Sequence, residues 1–182
     1  MSSPLRISIA KANLATATRL AALGRQTFTE TFAATNTPED MAAYLAETYG
    51  PEKQLAQLQD PRCTYLLAEM QGQAVGYLQL GQGSTLGLAA DATAARQLEI
   101  KQLYIVDDWI GTGLGKALMR RALDIAQAES CTAVVLGVWE HNERAKAFYQ
   151  RFGFREVGEV EFKLGQDVQR DLILRKGLAG RA

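Results

Sequence analysis

The chain has 182 residues, 47% of them hydrophobic, enough for one sizeable core and too few for a second domain, so a single domain over 1–182 is expected. Its 20 basic and 20 acidic residues cancel, which excludes the broad cationic field of a nucleic-acid or membrane-surface binder and points to a small partner. Met1 to Arg6 lacks an apolar signal core and no segment approaches ~18 consecutive apolar residues, so a cytoplasmic location with no membrane partner is expected.

Leu5, Ile7 and Ile9 alternate with Arg6 and Ser8, the period of a half-buried strand. Leu14, Ala17, Ala21 and Phe28 share one face of a helix over 13–32. Thr37-Pro38-Glu39-Asp40 then supplies an N-cap, a first-turn proline and acidic residues for a second helix, striped by Met41, Tyr44, Leu45 and Thr48. Residues 63–70 and 73–80 read as a hairpin around Gln71-Gly72. The Gly-, Ala- and Thr-rich stretch 81–96 has no period and reads as a loop with room for a short helix. Strand and helix alternate beyond it: strand 98–106, helix 113–129, strand 132–139, helix 142–152, then strands near 155–163 and 167–175 joined around Gly165. Ala133 to Leu136 is a continuous apolar run, as in a strand covered on both faces.

Cys63 and Cys131 are far apart without a C-x-x-C spacing, and His141 is the single histidine, so no metal-ligand set is expected. Both thiols read as buried core residues of a reducing compartment.

The most informative segment runs from Asp107 through Trp109-Ile110-Gly111-Thr112-Gly113-Leu114-Gly115-Lys116 into a helix. Glycines at 111, 113 and 115 let the backbone turn sharply and present N–H groups at a helix N-terminus, whose dipole favours an anion such as a phosphate. The same glycines also suit a plain tight turn. Gly111 and Gly115-Lys116 enclose three residues where a P-loop needs four, and Ala117 follows where it needs Ser or Thr. The dinucleotide pattern G-x-G-x-x-G fails as well, since one residue separates Gly113 from Gly115.

The loop Ile110 to Gly115 resembles the (Gln/Arg)-x-x-Gly-x-(Gly/Ala) signature of the GNAT acetyltransferase superfamily. Leu103-Tyr104-Ile105-Val106 before it is similar to the family's central strand. Asn142 through Ala145, Phe148-Tyr149 and Gly153-Phe154 match its later motif N-x-x-A-x-x-F-Y-x-x-x-G-F. The resemblance is carried by residues 97–162, and Ile110 departs from the usual Gln or Arg. It implies an α/β fold: a mixed, mostly antiparallel central sheet of six to seven strands, splayed at the cofactor site, with helices on both faces.

By that resemblance the co-substrate is acetyl-CoA and the reaction is acetyl transfer to a primary amine, small, polyamine or peptide-borne, by direct attack in a ternary complex. The amides of Gly111, Thr112, Gly113, Leu114, Gly115 and Lys116 hold its pyrophosphate, and the open edge at Leu103, Tyr104 and Ile105 pairs with the pantetheine arm. A backbone N–H near Ile105 faces the thioester oxygen, a donor worth roughly 3 kcal/mol in comparable sites. Tyr149 becomes the general acid for the leaving thiolate, although it shares a helical face with Ala145, Phe148 and Phe152 and reads equally as a core ring. Asn142 is a good N-cap and, in the family, a pantetheine contact as well. Glu99 matches the position of a general base in histone-acetylating relatives; a strand-edge carboxylate paired with Lys101 is the other reading.

The implied acceptor groove includes Phe28, Glu30, Thr31, Phe32 and residues 163–167, with a lean toward the bacterial polyamine and small-amine subgroup. Homodimers are common in the family. The alternative function is a catalytically silent acyl-CoA sensor on the same fold.

Overall fold

Gln71 and Gly72 both take positive φ, 51° and 80°, the requirement of a two-residue hairpin turn whose twist matches that of the strands. The turn joins β2 (Cys63–Met70) to β3 (Gln73–Gln82), with Met70 opposite Gln73. In the computed structural model, residues 5–87 and 96–178 are described. The short helix allowed for within 81–96 falls mainly outside them.

Seven strands form one sheet in the order β1-β2-β3-β4-β5-β7-β6, with β1 (Arg6–Ile9), β4 (Gln97–Ile105), β5 (Ala133–Trp139), β6 (Arg155–Leu164) and β7 (Asp167–Gly177). Every pairing is antiparallel except β4 with β5. That parallel pair needs a crossover, which α4 (Leu114–Ala128) provides. The expected mixed α/β sheet is therefore present.

Leu114, Leu118, Met119, Ala122 and Ala126 bury the apolar stripe of α4 against Leu66, Leu78, Leu98, Val134 and Leu136 of the sheet, and α5 (Glu143–Arg151) joins that layer. On the opposite face lie α1 (Leu14–Phe32), capped by the Asn13 side chain on the Thr16 N–H at 2.8 Å, and α2 (Pro38–Thr48), capped by Thr37. Burial of each fully enclosed Leu or Phe side chain contributes about 1.5–3 kcal/mol. The element not anticipated from the apolar pattern is α3 (Pro51–Gln59), which packs on α1 and carries only Leu55 and Leu58 as an apolar stripe. Gly50-Pro51-Glu52, with proline in the first turn, was the signal for it. Cys63 and Cys131 are free and half-buried at the margins of two clusters rather than fully buried as expected. No helix among the described residues is long and apolar enough to cross a membrane.

Candidate active site

The two parallel strands at the centre of the sheet separate. Gln97, Leu98 and Glu99 of β4 pair with Ala133, Val134 and Val135 of β5, and the pairing stops there. Beyond it β4 remains bonded to β3 as far as Ile105, and β5 to β7 as far as Trp139. The register of β3 and β4 shifts where Gln79 faces Gln102 and Leu80 faces Ile100, leaving Lys101 as an extra residue. Such a bulge bends and twists its strand, and this one lies where β4 leaves β5. The split strips Ile100 to Ile105 of partners on one edge and opens a cavity of about 140 Å³ lined by Leu103, Tyr104, Gly137, Val138, Asn142 and Tyr149, among others.

The glycine loop closes the wide end of the split. Gly111 and Gly113 have φ of 83° and 92°, and a Cβ at either would meet nothing within 4 Å. The positive φ makes glycine the natural residue there, and the open space leaves the amides accessible. α4 has no side-chain cap, and its first backbone bond runs from the Ala117 N–H to the Gly113 carbonyl. The N–H groups of Leu114, Gly115 and Lys116 are therefore the unpaired first-turn donors of a 15-residue helix. Gly115 has a different role, since a Cβ there would meet Ile105 Cδ1 at 3.2 Å and Phe148 at 3.5 Å. It lets the helix start sit directly on the end of β4 and on α5. These donors and this free space fit a diphosphate. Ile110 contributes no polar atom.

The Asn142 Oδ1 accepts the Ala145 N–H at 3.1 Å and so caps α5, while the residue also lines the cleft. Tyr149, two turns further on, is 8% exposed and packs edge-on against Phe148 and Phe154. Burial holds its phenol well above the usual range, with no hydrogen bond contributing. No buried side-chain nitrogen or oxygen among the described residues lacks a partner, so the Tyr149 hydroxyl opens onto the cleft that its ring lines. The Tyr149 ring is part of the core and also lines the cleft.

On the α1 and α2 side the cleft is walled by aromatics. Phe28 stacks on Tyr44 at 4.4 Å between centroids, Tyr44 meets Phe162 at 5.6 Å, and Phe32 meets Trp139 at 6.0 Å. Asp171 of β7 lines the same space, directly across the ladder from Trp139. Its Oδ2 would lie 3.4 Å from a Cβ on Gly137, so the missing side chain leaves its carboxylate room. Burial alone pushes the Asp171 carboxyl up to about 6. The cleft continues past Trp139 and Gln169 into a groove of about 560 Å³ bordered by Glu140, Glu159, Glu161, Asp167 and Arg170. Arg170 binds Glu140 and Glu159 at 2.5 and 3.0 Å, leaving Glu161 and Asp167 without an ion pair among the described residues.

The structure brings together Leu103, Tyr104, Asn142, Tyr149, Phe28 and Phe32. Ile105 lies on the open edge beside them, with its side chain under Gly115. Glu99 sits on the paired part of β4, between Gly81 and Val135, outside the residues lining the cleft. The other reading, an ion pair with Lys101, is absent among the described residues, although Lys101 lies against Gly81, the ladder partner of Glu99. Glu30 and Thr31 are engaged elsewhere: Glu30 accepts the Asp107 N–H at 3.2 Å, and the Thr31 hydroxyl donates to the Thr27 carbonyl at 2.8 Å. Asp171 and Trp139 are the site residues the sequence reading missed. The signal for Asp171 was a carboxylate at an inward position of an apolar strand, between Gln169 and Ile173 in the period of two.

The chain is similar to known proteins in sequence and in fold. Residues 26–154 match the model of the acetyltransferase (GNAT) family. An uncharacterised N-acetyltransferase of Lactobacillus delbrueckii subsp. lactis is 36% identical over 157 residues, 86% of this chain and 89% of its own. Another from Mycobacterium tuberculosis is 31% identical over 162 residues, 89% of this chain and 97% of its own. Among solved structures, the PaiA N-acetyltransferase of Thermoplasma acidophilum in complex with coenzyme A superposes with a TM-score of 0.73 at 20% identity, covering 95% of this chain and 99% of that one.

Proposed function

This chain belongs to the acetyltransferase (GNAT) family and uses acetyl-CoA to acetylate an amine, and from that premise we propose that the acceptor is a cationic primary amine which attacks the thioester directly inside the β4–β5 split. The observation that carries the reading is the end of the β4–β5 pairing at Glu99 and Val135, beyond which the free edge of β4 runs from the aromatic cleft to Ile105, whose side chain lies under Gly115 at the start of α4.

The loop amides around Gly113, those of Leu114, Gly115 and Lys116 above all, hold the diphosphate at the start of α4, whereas the Thr112 N–H turns back to the Trp109 carbonyl at 3.4 Å. The open edge of Leu103, Tyr104 and Ile105 supplies main-chain donors and acceptors to the amide-bearing arm, as a missing strand would. Asn142 orients α5 and offers its side chain to the same arm. Tyr149 gives its phenolic proton to the departing thiolate; a phenol held neutral by burial is in the correct form to donate at any working pH.

Direct attack is favoured over an acyl-enzyme. Neither Cys63 nor Cys131 lines the cleft, and burial raises both thiols, which lowers their thiolate fraction. The acidic border of the outer groove favours an acceptor carrying further positive charge, such as a polyamine, over a neutral amine.

The test is calorimetry with acetyl-CoA, followed by mass-spectrometric detection of acetylated product from a panel of polyamines, monoamines and lysine-containing peptides. Binding without acetylation of any amine overturns the acceptor reading, and preferential acetylation of peptides replaces it.

A further inference from the structure

We infer that Asp171 binds the ammonium group of the acceptor and takes its proton before attack. The inference rests on the proposal that the thioester lies in the β4–β5 split, and extends it to the acceptor side.

Asp171 stands on β7, two strands from the glycine loop, with its carboxylate in the aromatic end of the cleft. It has no hydrogen bond and no ion pair among the described residues; burial alone shifts its ionisation. A partly buried carboxylate with no protein partner is best satisfied by a cation that donates hydrogen bonds. The walls are suited to the same guest, since the aromatic side chains of Phe28, Tyr44, Trp139 and Phe162 line the space around it.

Among the described residues no side chain pairs with Asp171; Lys101 of β4 also lines the cleft, but its chain lies against Gly81 and makes no ion pair with Asp171. The Tyr44 phenol from α2 and the Tyr104 phenol from β4 are held neutral, both by burial first and both opposed further by Asp171. α1 contributes Phe28 and Phe32, β5 contributes Gly137 and Trp139, and α5 contributes the neutral Tyr149. β6 places Val160 opposite Asp171, with Glu159 and Glu161 on either side of it. Arg170, one residue along β7, faces away by the strand period and is bound to Glu140 and Glu159. Tyr104, Tyr149 and Asp171 line the same cleft.

The protons balance. R–NH3+ gives one proton to Asp171, which releases it to water. The neutral amine then forms the N–C bond to the acetyl carbon as the C–S bond breaks. The nitrogen gives its second proton to water while the sulfur gains one from Tyr149, and the phenol is restored by a proton from water. The net products are the amide, the thiol of CoA and one proton.

The test compares Asp171→Asn, Asp171→Glu and Glu99→Gln in the full chain, using acetyl-CoA and the best amine found among putrescine, spermidine and lysine amide. Expected for Asp171→Asn is a fall of at least 100-fold in kcat/KM for the amine, loss of the acidic limb of the pH profile near 6, and acetyl-CoA affinity unchanged within twofold. Asp171→Glu recovers part of the rate with a shifted limb. Asp171→Asn within threefold of the parent with the same limb, or loss of the limb in Glu99→Gln instead, overturns the assignment. A second measurement uses the unaltered protein: carbon-13 NMR titration of its aspartate carboxyls with each amine added in turn, whether or not turnover occurs. Downward movement of the Asp171 midpoint by at least half a pH unit supports the inference, and an unmoved midpoint with all three amines overturns it. Retained acetyl-CoA binding distinguishes either failure from failure of the loop assignment.

Discussion

The Asp40 Oδ1, in the first turn of α2, accepts the Gln166 N–H of the β6–β7 turn at 2.7 Å, across 126 residues of sequence. Gly165, beside it, has φ of 63°, and a Cβ there would approach Asp40 Cα to 2.7 Å. A second bond, Gln169 Nε2 to Asn36 Oδ1 at 2.7 Å, ties the same two segments. Together they fix one rim of the acceptor cleft, with Phe162 and Tyr44 meeting just inside. Gly165→Ala therefore combines a left-handed backbone with a clash against main chain. It is expected to lower stability by about 1–3 kcal/mol in denaturant unfolding. Steady-state kinetics should show a several-fold higher KM for the amine and an unchanged acetyl-CoA affinity.

Asp171 predicts an unusual pH dependence of stability. Burial raises its carboxyl from 3.8 to about 6, so the folded protein binds that proton more tightly than the unfolded chain. Its contribution is then fully favourable below about pH 4 and is lost as pH rises through 6. Asp171→Asn, which keeps a neutral side chain throughout, is expected to melt with the parent near pH 4 and above it at pH 7. The carboxyl is partly exposed and keeps some water, so the gap is about 1–2 kcal/mol rather than the ~3 kcal/mol of the full shift. Calorimetric melting at the two pH values reads it. A gap of equal size at both would mean that the substitution acts through packing alone.

For Tyr149 the two roles separate on one substitution. Phenylalanine keeps the ring between Phe148 and Phe154 and removes only the cleft hydroxyl. Tyr149→Phe should leave the melting temperature and acetyl-CoA affinity near those of the parent and lower kcat about 100-fold. A parent-like kcat would assign thiolate protonation to water.

Much of this arrangement was legible in the order of residues, for local reasons. Helix starts at Asn13, Thr37 and Asn142 carry capping side chains, and the Gln71-Gly72 turn carries its own conformational signal. The cofactor side proposed for the site draws on loop, strand edge and α5 motif, contiguous stretches between 103 and 149 that can be named from the sequence alone. The acceptor side cannot be named in that way. Asp171 becomes notable only when β7 is seated beside β5 and its carboxylate falls opposite the bare face of Gly137, a relationship between strands that no single segment encodes. Glu99 shows the converse: its spacing to the glycine loop pointed to the cleft, whereas the parallel pairing of β4 with β5 runs one residue too far for its side chain to line it.

The loop glycines should respond differently to the same small change. Gly113 has φ of 92° and empty space where a Cβ would go, whereas a Cβ on Gly115 would crowd Ile105 and Phe148. Gly113→Ala therefore strains the backbone by about 1–2 kcal/mol and places a methyl group among the first-turn amides of α4. Its principal effect is expected on the ligand, a loss of about tenfold or more in acetyl-CoA affinity by calorimetry with a modest drop in melting temperature. Gly115→Ala should lower stability through overpacking by about 1–3 kcal/mol, with affinity falling only as far as α4 shifts off the end of β4. If the two variants changed affinity and stability in the same proportion, the loop would be acting as a structural turn, and the anion would have to be held by side chains rather than by these amides.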